Sequence, residues 1–361
     1  MTDKAEPGQP AEYTEPPIPA GMYKPDGTIL SRRTKPHNHV TFLKTHKCAS
    51  STIQNILMRY GLKNHLTFSL PPGGGNHIGW PRAFQPNMLR KSKPPDIHCY
   101  HSTFSPSLLT TMPADAINIA AVRDPLTQIR SEYIYYGFHS CSKNSLVDLI
   151  LSERKQDTVC GLPFNNPVML DMGMTYVAMG NHDEVEAYVK MLDSKFHLVI
   201  VVEYFYESII VMRDMLGWSN LDVATFALNY RKEGSTSSAA FGADLPDTDE
   251  FKEKLYSFLY ADKQLYDHFR KKMEQIITAN KDYIQQEVKA LKQYQDDLMG
   301  FCIMKSVPKI QIKDSRFKPY GNGAYGYLLT ENGLKNQTCI DMASAELTLV
   351  GKINRYQPPL R

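Results

Sequence analysis

The run Asn38-His39-Val40-Thr41-Phe42-Leu43-Lys44-Thr45-His46-Lys47-Cys48-Ala49-Ser50-Ser51-Thr52 constrains the fold more than any other stretch of the chain. It reads as a short apolar strand, a tight polar turn and the first turn of a helix. Beyond it, Ile53, Ile56, Leu57 and Tyr60 recur at the spacing of one buried helical face, and Gly61 is placed to end that helix. A loop that opens a helix offers unpaired N–H groups and the positive end of the macrodipole, which suits an anion. Two lysines and three consecutive hydroxyls make phosphate or sulfate the natural guest. The G-x-x-x-x-G-K-[ST] spacing of nucleotide-binding loops is missing, so the run reads as a phosphate binder of another lineage.

A second strand-to-helix unit follows. Ile117 to Val122 reads as a fully buried strand, and Arg123-Asp124-Pro125 ends it at a helix start where proline is tolerated. Leu126, Ile129 and Tyr133 mark the buried side of the helix. A guanidinium is a permanently charged fork for phosphate, and Ser131, eight residues on, adds a hydroxyl. Arginine at a strand end is often only a surface ion pair, but the lysine loop upstream in a βα…βα arrangement favours the anion. A third strand is read over His197–Phe205, with a helix from Glu207 through Leu216 stopped near Gly217. Asp247 to Gly300 reads as helical, with Phe251, Leu255, Phe258 and Leu259 on one face, then Leu265, Phe269, Met273 and Ile276 on another. Its Lys- and Gln-rich end reads equally as a coiled-coil module. The expected architecture is one α/β domain, its central, mostly parallel sheet flanked by helices and its ligand site at the strands' C-terminal ends.

Leu43-Lys44-Thr45-His46-Lys47-x-Ala49-Ser50-Ser51-Thr52 resembles the 5′-phosphosulfate loop of sulfotransferases that use 3′-phosphoadenosine 5′-phosphosulfate (PAPS). The wording is closest to the galactose-3-O-sulfotransferase family, galactosylceramide sulfotransferases included. Cys48 departs from it, standing where the family is expected to have threonine. Arg123 and Ser131 match the pair that grips the 3′-phosphate across the superfamily. Ala261 to Phe269 resembles a further family segment, and the likeness spans about residues 38 to 280. The resemblance implies a P-loop-like sulfotransferase fold and transfer of a sulfuryl group from PAPS, without a metal, to the 3-hydroxyl of a β-galactose on a glycolipid or glycan. Donor-binding groups are then expected at Lys44, Thr45, Lys47, Cys48, Ala49, Ser50, Ser51, Thr52, Arg123 and Ser131.

Sulfuryl transfer builds charge on the bridging oxygen, so positioning and electrostatics should dominate. Lys47, aligned with the lysine before the small-residue turn of related sulfotransferases, is expected to stabilise the leaving oxygen. The acceptor hydroxyl needs a base, for which imidazole is suited. His46 lies inside the loop. His101, in Ile97-His98-Cys99-Tyr100-His101-Ser102-Thr103-Phe104, resembles the family's His-x-x-Phe element, whose counterpart is the base in related uronyl sulfotransferases. The two stay level as candidates. Pro71 to Trp80 reads either as a turn-rich wall of the acceptor cleft, with Trp80 as a sugar platform, or as a surface turn with a core tryptophan. Tyr230 to Ser235 reads as a basic loop, solvated or folded over the nucleotide. A kinase, a transferase for another sugar and an inactive carbohydrate-binding relative are the competing classes. The intact Lys47, Arg123 and Ser131 speak against the inactive one.

A net charge of +3 over 361 residues implies no nucleic-acid footprint. Residues 1–37 read as a proline-rich flexible tail, 38–300 as the catalytic domain and 301–361 as a C-terminal extension without an assigned role. Cys48, Cys99, Cys141, Cys160, Cys302 and Cys339 show no C-x-x-C spacing, which argues against a zinc site. Cys141 and Cys160 read either as a pair, if the domain folds in a secretory lumen, or as free thiols. Asn336-Gln337-Thr338 is a glycosylation acceptor triplet. The family implies residence in the Golgi lumen behind a membrane anchor. No run of eighteen apolar residues and no signal-peptide core occurs, so a shortened chain and a soluble member both remain open.

Overall fold

The computed structural model describes residues 33–152, 157–231, 241–321 and 323–357. The expected tail therefore lies outside the described residues except for its last five, as do residues 232–235 of the basic loop. Strand β1 (Val40–Phe42) leads into α1 (Ser50–Lys63), and β2 (Ile97–His98), α2 (Pro106–Thr111) and β3 (Ile117–Val122) come next. Three helices follow, α3 (Pro125–Tyr136), α4 (Phe138–Ser142) and α5 (Leu146–Leu151), then a ribbon of β4 (Thr158–Val159) and β5 (Leu162–Pro163). Helices α6 (Pro167–Asp171), α7 (Tyr176–Met179) and α8 (His182–Lys195) precede β6 (Leu198–Val201), α9 (Phe205–Leu216) and α10 (Asn220–Val223). The chain continues through α11 (Asp249–Phe258), α12 (Tyr260–Ala279) and α13 (Lys281–Cys302) to a hairpin of β7 (Ile303–Pro308) and β8 (Tyr325–Leu329). It finishes in α14 (Glu331–Lys335), α15 (Gln337–Ala343) and α16 (Glu346–Tyr356).

Four strands make a parallel sheet in the order β2-β1-β3-β6. Val40 pairs with Ile97 on one side and Ile117 on the other, and Ile119 pairs with Leu198. Every residue of β1, β3 and β6 is buried, as a parallel sheet covered on both faces requires. From β1 the chain first builds the strand on one side and then the strand on the other. The C-terminal ends of β1 and β3 therefore flank a topological switch point, where open α/β sheets bind ligands.

Two local expectations are corrected. Gly61 does not end α1, which runs on to Lys63; the glycine is needed because a Cβ there would strike the Phe68 ring. The strand read over His197–Phe205 stops at Val201, whose N–H is held by Ser208 Oγ at 3.2 Å, and residues 202–204 coil directly into α9. The segment from Ile97 is a two-residue strand followed by a loop, as expected, and His101 sits in that loop.

The helical stretch after Asp247 packs back on the core and makes no free coiled coil. Ile284, Val288 and Leu291 of α13 are buried, and Arg213 of α9 reaches Glu287 at 2.7 Å. Residues 303–356 also dock on the core. Gln357 bonds both the N–H and the carbonyl of Phe68 (2.8 and 2.9 Å), and Asn55 of α1 donates to the Asp341 carbonyl at 2.9 Å. This docking covers the outer side of α1 and explains why that helix is buried nearly all round. Disulfides join Cys302 to Cys339 and Cys141 to Cys160, while Cys48 and Cys99 are free and buried.

Candidate active site

The loop between β1 and α1 has Lys47 at φ 60° and Ala49 at φ 55°, both in the left-handed region. Each such non-glycine residue costs about 1–2 kcal/mol, and strain of this kind gathers where backbone must face a ligand. Left-handed residues in a turn help aim neighbouring N–H groups at a common anion, and this loop has two of them on either side of Cys48. No side chain caps α1 at Ala49, which leaves its first N–H groups to a guest.

The loop opens into a cavity of about 1650 Å³. Single-ligand pockets run to about 1,000 Å³, so this one has room for two substrates. His46, Lys47, Ala49, Ser50, Ser51 and Thr52 line it, together with His101, Trp80, Arg123 and Ser131. Lys44, Thr45 and Cys48 do not. Lys44 is fully buried against Glu346 at 2.8 Å, Thr45 donates to the Ala121 carbonyl at 2.6 Å, and the Cys48 thiol turns back to the His46 carbonyl. The inward turn of position 48 means that its departure from threonine removes no group from the cavity wall.

His46 is held by a carboxylate that the sequence did not disclose. Asp171 accepts from the His46 N–H at 2.7 Å and from Nδ1 at 2.8 Å. With the proton held on Nδ1, the buried Nε2, which has no partner within the protein, presents a lone pair. Asp171 also accepts from Trp80 Nε1 at 2.8 Å, which places the indole 4.5 Å from the imidazole ring. Of the two readings of Pro71–Trp80, the structure thus shows the cavity wall. Asp171 ends α6, whose N-terminal N–H groups at Val168 and Met169 bond Asp262. Burial pushes the Asp262 carboxyl up to about 7. Gly173, at φ 95°, lets this turn approach the Phe104 carbonyl, where any Cβ would collide.

His101 gives its Nδ1 to the Lys44 carbonyl at 2.9 Å, and burial holds its pKa well below the ordinary value. Its ring stacks on His46 at 4.0 Å and 18°, and on His77 at 5.0 Å and 17°. One ring nitrogen from each of the three imidazoles lies within 4.8 Å of the others, a spacing that could also hold a metal ion.

Lys47 extends over the Tyr135 ring, 3.5 Å from its centroid. Desolvation first, then the charge of Arg231, lowers its pKa to about 7. Arg123 donates to the Lys47 carbonyl at 3.3 Å and leaves a buried Nε without a partner. Arg231, the last described residue of the basic loop, donates to the Ser131 carbonyl at 3.3 Å; burial, then Arg123 and Arg130, lowers its pKa to about 10. Three guanidiniums thus face one region, an arrangement that a bound anion relieves.

A parallel sheet whose first strand feeds a lysine-bearing helix start, with an arginine after β3, is consistent with a sulfotransferase. The chain belongs to the galactose-3-O-sulfotransferase family, whose model matches residues 10–357. Among its relatives, galactose-3-O-sulfotransferase 2 of Sus scrofa is 31% identical over 90% of this chain and 85% of its own length. The Mus musculus protein of that name is 30% identical over 90% and 86%. Galactosylceramide sulfotransferase of Homo sapiens is 25% identical over 85% and 79%.

Proposed function

We propose that the protein transfers the sulfuryl group of PAPS to the 3-hydroxyl of a terminal β-galactose. The observation that carries this reading is the single cavity in which an unpaired His46 Nε2, the Lys47 ammonium and the Arg123–Arg231 cluster meet. The donor supplies an electrophilic sulfur on a phosphate leaving group. The residues fit it: the β1–α1 loop and α1 start suit the 5′-phosphosulfate, and Arg123, Ser131 and Arg231 suit the 3′-phosphate. His46 Nε2 takes the proton of the acceptor hydroxyl, whose oxygen forms the new bond to sulfur as the sulfur–oxygen bond to phosphate breaks. Lys47 faces the departing bridging oxygen, and Asp171 holds the imidazolium that forms. His101 orients the acceptor beside His46. The positive groups supply the charge that a metal carries in phosphoryl transfer, and no metal is needed.

The acceptor is a galactose-terminated glycolipid or glycan, and the site of action the Golgi lumen, at its membrane. Two disulfides support an oxidising compartment. No described helix is long and apolar enough to cross a membrane. The test is incubation with PAPS and paired galactosylceramide, lactosyl and N-acetyllactosamine acceptors, followed by linkage analysis. Sulfate at galactose position 3 is expected; sulfate only on glucosamine or uronic acid, or none, overturns the reading.

A further inference from the structure

The strongest unassigned group in the cavity is Glu346, at the start of α16. Its carboxylate takes Lys44 Nζ at 2.8 Å and Ser51 Oγ at 2.6 Å on one oxygen, and the Asn76 amide on the other. A carboxylate offers about four acceptor positions, so three partners leave one on the oxygen shared with Asn76. The side chain keeps 17% of its surface exposed, and it lines the cavity. Burial disfavours the ionised carboxylate, but Lys44 outweighs it and holds the pKa below the ordinary value. The group is thus a fixed negative charge that only accepts hydrogen bonds.

That chemistry is out of place for the donor. PAPS is polyanionic, and the cavity offers it the cationic side chains of Lys47, Arg123, Arg130 and Arg231. A carboxylate repels such a molecule and attracts the hydroxyls of a neutral one. Its location agrees. Asn76, which Glu346 bonds, gives its carbonyl to the His101 N–H at 3.1 Å, and its neighbour His77 stacks on His101, which stacks on His46. Glu346 thus bridges the β1–α1 loop, through Lys44 and Ser51, and the wall that carries the candidate base, through Asn76.

We propose that Glu346 is a specificity-determining residue that accepts a hydrogen bond from a galactose hydroxyl adjacent to the one sulfated, with Lys44 serving Glu346 rather than the donor. This rests on the galactose reading above and adds the terminal segment to the acceptor subsite. A hydroxyl lost from the sugar leaves the carboxylate unpaired, which is how polar sites reject analogues.

The experiment measures KM and kcat of the wild type and Glu346→Gln with methyl β-galactoside and its 2-deoxy and 4-deoxy analogues, alongside the Kd of adenosine 3′,5′-bisphosphate. The variant should raise KM for the parent sugar about tenfold or more, a charged hydrogen bond's worth. Bisphosphate affinity should stay within about twofold, and the penalty should vanish for one of the two deoxy sugars. A strut that merely neutralises Lys44 would weaken all three acceptors alike, and that result, or an unchanged KM, overturns the proposal. Should Glu346→Gln misfold with Lys44 unpaired, the double variant Lys44→Met/Glu346→Gln removes both charges and is read in the same way. A wild type that sulfates no galactoside overturns the functional reading itself, while normal wild-type transfer with equal penalties overturns this inference alone.

Discussion

The two ends of the cavity are built in opposite ways. Around Arg123, Arg130 and Arg231, cations are crowded together, and their charges add to burial in lowering the pKa of Arg231 and of Lys47, a stress that an arriving anion relieves. Around His46, Trp80 and Asn76, the polar groups are already anchored by carboxylates, Asp171 and Glu346. One end is completed by its ligand; the other is finished before a ligand enters. Charge alone then sorts a polyanionic donor from a neutral sugar, with Lys47 at the seam between them.

The largest break in that contrast should come from the seam. Lys47→Ala is expected to lower turnover by about 10²–10³-fold or more, the effect of removing a preorganised charge from a developing oxyanion. Circular dichroism and thermal melting should show the fold intact, and near-normal sulfate transfer by a folded variant would refute the role. At the finished end, Asp171→Asn should cost about 10²-fold or more in turnover by releasing the His46 tautomer. Its affinity for adenosine 3′,5′-bisphosphate should be retained, and calorimetry beside the rate assay separates the two. At the stressed end, Arg123→Ala and Ser131→Ala should mainly weaken the bisphosphate, about 10–100-fold for the arginine and less for the serine. Unchanged affinity in both would remove the 3′-phosphate from this site.

A pH series sharpens the comparison further. Lys47 has its pKa lowered to about 7, so its charged form prevails below that pH and is lost above it. Bisphosphate affinity should therefore hold below pH 7 and fall above it by up to about tenfold per pH unit, one proton being linked to binding. Lys47→Met should flatten that slope, and a slope that persists would assign the titration to another group. The smallest effect is expected from Cys48→Thr, which should change donor affinity by less than about threefold because the side chain faces the interior. A tenfold change would return position 48 to the binding surface.

The parallel sheet was legible because β3 is an uninterrupted apolar run and β1 ends in a lysine- and hydroxyl-rich helix start. The loop between them was legible for the same reason, although its individual side chains were not. Thr45 and Cys48 alternate with lining residues, and only the left-handed turns at Lys47 and Ala49 decide which face inward. Asp171 and Glu346 escaped notice because their partners are 125 residues and about 300 residues away, and no local pattern marks a long-range hydrogen bond. Ala261–Phe269 carries no local sign of its part: its Asp262 bonds the N-terminal N–H groups of the short helix that ends in Asp171.

The Cys302–Cys339 bond ties the last helical segments to the end of α13, and with them the part of the chain that delivers Glu346. A Cys302→Ser/Cys339→Ser variant, which leaves Cys141–Cys160 in place, should lose discrimination among sugars before it loses its grip on the nucleotide, because Lys47, Arg123 and Ser131 lie outside the segment that this bond ties. Variant and wild type would then bind the bisphosphate equally well and differ in acceptor choice.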